Sequence, residues 1–313
     1  EFLFDTRSES VLMSPTNPYI MGPHLLCAAY ETPISSDDHS IFGPKLGDQI
    51  QQLDAQGLLH KASGRWHLSP EVGYAAEDVN LRSTGNDNYM VVEEKSGTIL
   101  ETVDEGVAFR QLHQGAVYLH RGNSYVVNRL EIAAKLAYVQ NEDLPYYTQP
   151  NEVTDIQIVR AWESKTVGQV KVTLGEVQVT DHVVGYRRKE PFTERELSRG
   201  ALSLPPNIFD TVAFWFDVPQ KFIKRCKEDG LDLEGGLHAG EHAAISILPL
   251  FAMCDRNDIG GVSTLLHVDT GRPQVFIYDG HPGGVGISEQ GYHQVLRLWE
   301  ATLDMMHSCS CHE

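Results

Sequence analysis

Apolar positions between residues 18 and 82 recur at helical spacing. Leu46, Ile50 and Leu53 stand at i, i+4 and i+7 on one face, and Gly57 supplies the stop. Upstream, His24–Tyr30 is a compact apolar stretch, opened by Pro23 and followed by Pro33, and it is read as a further helix. Leu58–Lys61 and Arg65–Leu68 flank Ala62-Ser63-Gly64, which predicts a short hairpin. Helices followed by a small hairpin form a winged-helix pattern, so residues 1–82 are expected to be a winged-helix domain. Such a module either contacts DNA or packs against a neighbour.

The period changes to two between residues 83 and 200. Runs at 89–93, 98–103, 115–120, 124–130, 135–139, 155–161, 170–179 and 183–187 are short and rich in β-branched and aromatic residues. Turn pairs such as Ser96-Gly97 and Gly122-Asn123 separate them, and Asp104–Leu112 is the one expected helix. Eight short strands with little helix predict a β-rich small barrel or sandwich.

Helix and strand mix from residue 201 to 313. Asp210–Val218 is apolar, 237–253 reads as a long helix, Gln274–Tyr278 as a strand and 288–306 as a final helix. The whole is therefore expected to be a multidomain α+β protein: a winged helix, a β-rich domain and a mixed α/β C-terminal domain.

Composition narrows the class. With 41% hydrophobic and 22% charged residues the chain is globular, neither disordered nor a coiled coil. No run of ~18 apolar residues is present to span a bilayer. The opening EFLFDTRSES lacks the basic start and apolar block of a signal peptide, and reads like a cut inside a longer protein. Five scattered cysteines make no disulfide framework, which points to a reducing, cytoplasmic setting. The balance of 25 Lys/Arg against 43 Asp/Glu gives −18, which argues against a surface that grips nucleic acid throughout. Residues 1–82 carry −6, 83–200 carry −4 and 201–313 carry −8, so any phosphate contact must be local.

Several motifs bear on chemistry. Asp279-Gly280-His281-Pro282-Gly283-Gly284-Val285-Gly286 sits between a strand and a helix, where a loop can cradle phosphate. Its spacing fits neither dinucleotide nor phosphate-loop patterns, which favours a tight packing turn. Asp104-Glu105-Gly106-Val107 begins like a helicase acidic box without the completing acid, so this chain is not expected to hydrolyse ATP. His238-Ala239-Gly240-Glu241-His242 has the H-x-x-E-H spacing of inverted zinc peptidases. On a helix both histidines share a face, and Asp255, Asp258 or Asp269 is a candidate third ligand for a zinc-dependent hydrolase. Cys309-Ser310-Cys311 offers two thiolates, half of a four-ligand zinc site, just before the chain stops at Glu313. Arg187-Arg188-Lys189 is a dense basic run that either meets phosphate or stays solvated. Tyr118, Tyr125, Tyr138, Tyr146, Tyr147 and Tyr186 either stack bases or bury their rings in strands.

Longer motifs carry a resemblance. LHAGEHA, MCDRNDIGG, TGRPQVFIYDGHPGGVGI and the final helix running into CSC resemble the C-terminal domain of the mitomycin repair factor A helicases, a DEAD/DEAH-box group of superfamily 2. DEGVAFRQLHQGAVYLHRGNSYVV, DLPYYTQP with TDIQIV, and NPYIMGPHLLCAAYETP are similar to the β-rich and winged-helix regions of that family. The resemblance covers nearly the whole chain.

What it implies is the accessory C-terminal region of an ATP-dependent 3′–5′ DNA helicase of repair or genome maintenance. The RecA-like motor lobes, with ATP and Mg, would lie upstream. Cys309 and Cys311 match the first pair of the family's four zinc-binding cysteines, and the second pair would lie beyond this chain. Lys61, Arg65 and Trp66 in the wing, and Arg187, Arg188 and Lys189, are the candidates for DNA. Expected partners are single-stranded or forked DNA and the protein's own motor, with no membrane, and DNA binding by this segment alone is expected to be weak. A protein-interaction module is the further alternative, separable by the salt dependence that phosphate binding requires.

Overall fold

Asn17 begins the first element. Its backbone is extended (φ −64°, ψ 123°) and its side-chain oxygen accepts the Tyr19 N–H at 2.8 Å. This cap opens helix α1 over Pro18–Glu31 in the computed structural model, which describes residues 12–79 and 88–310. The fold is α+β. Pro18 occupies the first turn, where a missing N–H costs nothing, so the helix starts earlier than Pro23 suggested. Pro23 lies inside the helix.

Helix α2 spans Leu46–Ala55 and buries Leu46, Ile50 and Leu53 against Met21, Leu25, Ala29, Ile34 and Leu59. Strands β1 (Leu59–Ala62) and β2 (Arg65–Leu68) pair antiparallel from Leu59↔Leu68 to Ala62↔Arg65. Their turn places Ser63 at φ 51° and Gly64 at φ 80°, the left-handed pair that a two-residue hairpin needs. Ile34 bridges Trp66 as a third, minimal strand.

Contacts divide the chain into two compact units: 1–84, 157–178 and 210–313 form one, and 85–156 with 179–209 form the other. The second unit holds β3 (Asn88–Glu93), β4 (Ile99–Asp104), helix α3 (Glu105–Gln111), β5 (Val117–His120), β6 (Asn123–Glu131) and β7 (Leu136–Asn141). The strand order is β4-β3-β7-β6-β5, with β3 and β7 parallel. Tyr89, Val91, Val127, Ala137 and Val139 alternate inward and pack on Phe109 and Leu112 of the helical insertion.

Two long strands follow, β8 (Tyr147–Val167) and β9 (Val170–Lys189). The expected break between residues 179 and 183 does not occur. Thr180-Asp181-His182 contains no Gly or Pro, and buried Asp181 accepts Arg110 Nη2 at 3.0 Å and Thr154 Oγ1 at 2.7 Å instead of turning out to solvent. Strand β10 (Glu196–Ala201) pairs with the end of β9, Tyr186 opposite Gly200.

In the first unit, β11 (Asn207–Asp217) precedes helices α4 (Gln220–Glu228) and α5 (Leu233–Ile247), then β12 (Ile259–Thr264) and β13 (Gln274–Asp279). Strand β13 lies between β11 and β12, antiparallel to both, and every residue of it is buried. The expected final helix is two, α6 (Ile287–His293) and α7 (Val295–Ser308), because Gln294 leaves the helical region at φ −103°, ψ 16°. Both Tyr292 and Leu298 thereby reach the core with Val172, Leu174, Phe214, Ile245, Leu248 and Ile277. Among the described residues, no helix is long and apolar enough to cross a membrane.

Candidate nucleic-acid interface and metal ligands

Wing geometry follows from hairpin register. Lys61 faces Trp66 across the strands, its Nζ 4.5 Å from the ring centroid, a cation–π pair. Lys61 and Arg65 are exposed, while Trp66 is half-buried against the small core. The Trp66 backbone is held on its other edge by Ile34, at 2.8 and 2.9 Å. His60 and His67, the next pair along, stack at 5.6 Å. The hairpin thus presents two solvated cations, with the indole beneath one of them.

The basic run at the end of β9 is less free than its composition suggests. Arg187 Nε donates to Asn151 Oδ1 at 2.9 Å and its Nη1 lies 3.9 Å from Glu196. Lys189 Nζ is 3.3 Å from Glu194. The Tyr147 hydroxyl donates to the same carboxylate at 2.6 Å, and these two donors hold the Glu194 carboxyl below its usual range. Arg188 is half-buried, its guanidinium 5.2 Å from the Tyr146 centroid and 5.7 Å from that of Tyr186. Its Nε is buried with no hydrogen-bond partner among the described residues. His113, fully buried beneath Tyr186 at 4.7 Å, has an Nε2 with no hydrogen-bond partner among the described residues, and burial pulls its basicity down.

Tyrosines mostly serve the fold. Tyr118 and Tyr125 lie in the core, and Tyr138 lies under Arg129 at 4.0 Å.

Sequence reasoning missed one cationic element. Helix α4, KFIKRCKE after Gln220, exposes Lys221, Lys224, Arg225 and Lys227 and buries nothing. Its 221/224/225 spacing was the available signal, since residues three and four apart share a helix face. Glu228 and Asp229 meet Lys224 and Arg225 at 3.6 and 3.4 Å, both exposed pairs that are worth little.

The glycine loop cannot cradle phosphate, because its donors are already used. Asp279, fully buried, accepts the N–H groups of Val285, Gly286, Ile287 and Ser288 at 2.6, 3.0, 3.2 and 2.7 Å. Burial pushes the Asp279 carboxyl up, opposed by Ser288 and the loop N–H groups. Asn17 Nδ2 donates to the carbonyls of Pro282 and Gly284 at 2.9 and 2.6 Å. Gly284 sits at φ 73°, and a Cβ there would meet Val212 at 2.6 Å, so the loop is a packing turn.

Two sets of metal-ligating side chains remain. His238, Glu241 and His242 gather on α5 with all ligand atoms within 4.8 Å of one another. None of the aspartates considered as a third ligand joins them. Asp258 pairs with His281 at 3.0 Å, Asp255 caps the turn at Asn257, and Asp269 accepts the Ile158 N–H at 2.8 Å. Cys309 is exposed at the C-cap of α7, and Cys311 lies outside the described residues.

Comparison with known proteins supplies the context. Residues 240–313 match the model of the MrfA Zn-binding domain, and residues 13–84 match that of the winged helix domain of ATP-dependent helicase HRQ1. The chain is 30% identical over its full length to the ATP-dependent helicase YprA of Bacillus subtilis, spanning 42% of that protein. It is 26% identical over 95% of its length to the ATP-dependent helicase hrq1 of Schizosaccharomyces pombe, spanning 29% of it. The crystal structure of the DUF1998 helicase MrfA superimposes at a TM-score of 0.68 and 26% identity, covering 99% of this chain and 43% of that one. MrfA bound to DNA superimposes at 0.56 and 29%, covering 100% and 41%. The chain therefore spans less than half the length of these relatives.

Proposed function

The chain corresponds to the C-terminal region of a DUF1998 helicase of the MrfA type, and on that premise we propose that it is the accessory half of an ATP-dependent 3′–5′ DNA helicase. In this reading it holds and orients single-stranded or forked DNA for RecA-like motor domains that belong to the rest of a longer protein. ATP and Mg act in that motor. The biological setting is DNA repair or another genome-maintenance pathway, within the cytoplasm. Three segments divide the work: a winged helix (1–82), a β-rich domain (83–200) and a mixed α/β domain (201–313). Cys309 and Cys311 supply two thiolates to a structural zinc, completed by a second cysteine pair.

The observation that carries this reading is the collinear match, winged helix at one end and zinc-binding domain at the other, to ATP-dependent helicases over the whole chain. The exposed cations of the wing agree with it. Lys61 and Arg65 are suited to phosphate, and half-buried Trp66 is the candidate for stacking its ring face at a strand junction once Lys61 turns to phosphate, with a contribution of ~1–3 kcal/mol per stacked base. Arg187 and Lys189 form the second candidate contact, Arg188 between them seating the run on Tyr146 and Tyr186, and α4 adds Lys221 and Lys227.

The test is binding of a forked duplex to wild type and to a Lys61→Ala/Arg65→Ala/Trp66→Ala variant. Weaker binding by the variant, with a shallower salt dependence, is expected. Equal affinity would sink the wing assignment.

A protein-interaction module is the second reading, favoured by the −18 net charge and by the carboxylates already held against Arg187 and Lys189. Affinity for a macromolecular partner that is indifferent to salt would select it.

A further inference from the structure

The cluster on α5 is unused by the helicase reading. Helical spacing places His238 and His242 one turn apart, rings 4.5 Å between centroids and perpendicular. Glu241 lies between them, and its Oε2 is 3.6 Å from His238 Nδ1.

Glu241 is the unusual member. Its residue is 4% exposed, whereas its ion-pair partner His238 keeps 64% of its side chain in solvent. A carboxylate so deeply buried normally has a firm cationic partner or a metal. The fold makes room for it. Gly261 on β12 faces the carboxylate, and a Cβ there would come within 2.6 Å of Glu241 Oε1 and of Ile245 Cδ1. A glycine thus lets a charged oxygen sit between helix and sheet under two exposed imidazoles. Ser263 Oγ, also on β12, stands 3.5 Å from His238 Nδ1.

We propose that His238, Glu241 and His242 form a binding site for a borderline divalent transition-metal ion of the zinc class, separate from the cysteine motif at Cys309. Two imidazole nitrogens and one carboxylate oxygen suit such an ion rather than magnesium or calcium, which prefer all-oxygen sets. Metal–ligand bonds of ~2.0–2.2 Å require the present spread of ligand atoms to contract. The two exposed histidines are free to rotate into place, while buried Glu241 fixes the third corner. Three protein ligands leave one tetrahedral position open to water. The −8 net charge of residues 201–313 favours cation capture.

The test is a titration of the metal-stripped chain with Co2+, which reports ligand type by its absorption. In a Cys309→Ser/Cys311→Ser background, used for every variant here so that the thiolates of the other motif do not contribute, the chain is expected to take up an ion with weak ligand-field bands and no thiolate charge-transfer band. His238→Ala and His242→Ala should weaken uptake by more than the roughly 10–100-fold that outer-sphere changes cost. Both positions are exposed, so these variants keep the fold. Glu241→Gln should weaken it comparably, which distinguishes a three-ligand site from a bare histidine pair. The thermal midpoint should rise with Co2+ in this background and not in its double histidine variant. Uptake unchanged in the double histidine variant, or present only with a thiolate band, overturns the proposal. So does wild-type affinity in a folded Glu241→Gln variant. None of these readouts involves DNA, so the site and the helicase reading stand or fall separately.

Discussion

Asn17 Nδ2 donates to the Gly284 carbonyl at 2.6 Å across 267 residues of sequence. One side chain therefore performs two tasks. Its oxygen caps α1, and its nitrogen holds the glycine loop that leads from β13 into α6. The loop's other fastening is Asp279, which takes four backbone N–H groups at the start of α6. Donors that would face an anion in a phosphate-binding loop point inward to a carboxylate of the protein.

Asn17→Ala removes the cap and leaves two loop carbonyls without this donor. Loss of a cap costs ~1 kcal/mol, and the buried Gly284 carbonyl left unsatisfied ~1–3 kcal/mol, the Pro282 carbonyl being only part-buried. A destabilisation of about 2–4 kcal/mol is expected, read as a lower urea midpoint at unchanged m value. Asn17→Asp keeps the capping oxygen but turns a buried carboxylate oxygen onto the two carbonyls, so at neutral pH it should be no more stable than the alanine variant. An alanine variant as stable as wild type would show that the loop is held by Asp279 alone.

The winged helix was legible because its signals are local: three apolar residues on one helix face, and a hairpin turn whose Ser63-Gly64 pair takes the left-handed region. Strand lengths were less so, since Asp181 looks like a turn residue until Arg110, 71 positions away, neutralises it within β9. Helix α4 was missed because its apolar face is short, Phe222, Ile223 and Cys226 within nine residues, and none of these side chains is fully buried. Candidate site residues were legible as types and not as environments. Arg188 reads as a surface cation beside Arg187, yet alternation along β9 turns it onto Tyr146 and Tyr186. The H-x-x-E-H spacing predicted the cluster on α5, but not that Glu241 would be the buried member, which depends on Gly261 of β12.

Glu289 gives the stability a pH dependence. Burial, and then the charge of Asp279, push its carboxyl up to about 7, and its Oε2 is buried with no hydrogen-bond partner among the described residues. The folded chain thus holds this proton more tightly than the unfolded chain, whose glutamate titrates near ~4.3. Glu289 is least unfavourable below that value, and stability is lost as pH rises from there through about 7. The ceiling on the loss is roughly 4 kcal/mol, less where solvent reaches the group. Glu289→Gln should flatten urea-denaturation stability between pH 5 and 8 and be the more stable protein at the upper end. A wild-type curve that rises across this interval, with a parallel variant curve, would contradict the assignment.

Helix α4 is predicted to contribute to duplex binding through its charge alone. Lys221→Ala/Lys227→Ala should leave the fold intact, since both side chains are exposed. If each lysine meets a phosphate, the plot of log affinity against log salt should become shallower by ~0.9 per lysine removed. The effect should be uniform across DNA sequences, because phosphate contacts carry no base information. An unchanged slope would remove α4 from the interface.

Arg188 and Arg187 are predicted to separate stability from binding. Arg188 packs its guanidinium against two tyrosines and buries its Nε, so its planar group works as a filler of the β-rich unit. Gly200, opposite Tyr186, reinforces this, because any Cβ there would collide with the tyrosine ring that Arg188 covers. Arg188→Ala should therefore cost about 1–3 kcal/mol in urea denaturation, the range for lost buried packing and unmet polar groups. Arg187, at 42% side-chain exposure, gives up one bond to Asn151 and a 3.9 Å ion pair, so Arg187→Ala should stay within ~0.5 kcal/mol of wild type. For DNA the order should reverse, with Arg187→Ala making the salt slope shallower and Arg188→Ala, measured on folded protein, leaving it unchanged. Arg188→Lys should not rescue stability, since an ammonium cannot stack as the planar fork does. Equal losses of stability for Arg187→Ala and Arg188→Ala would show that the tyrosine seat has no energetic weight.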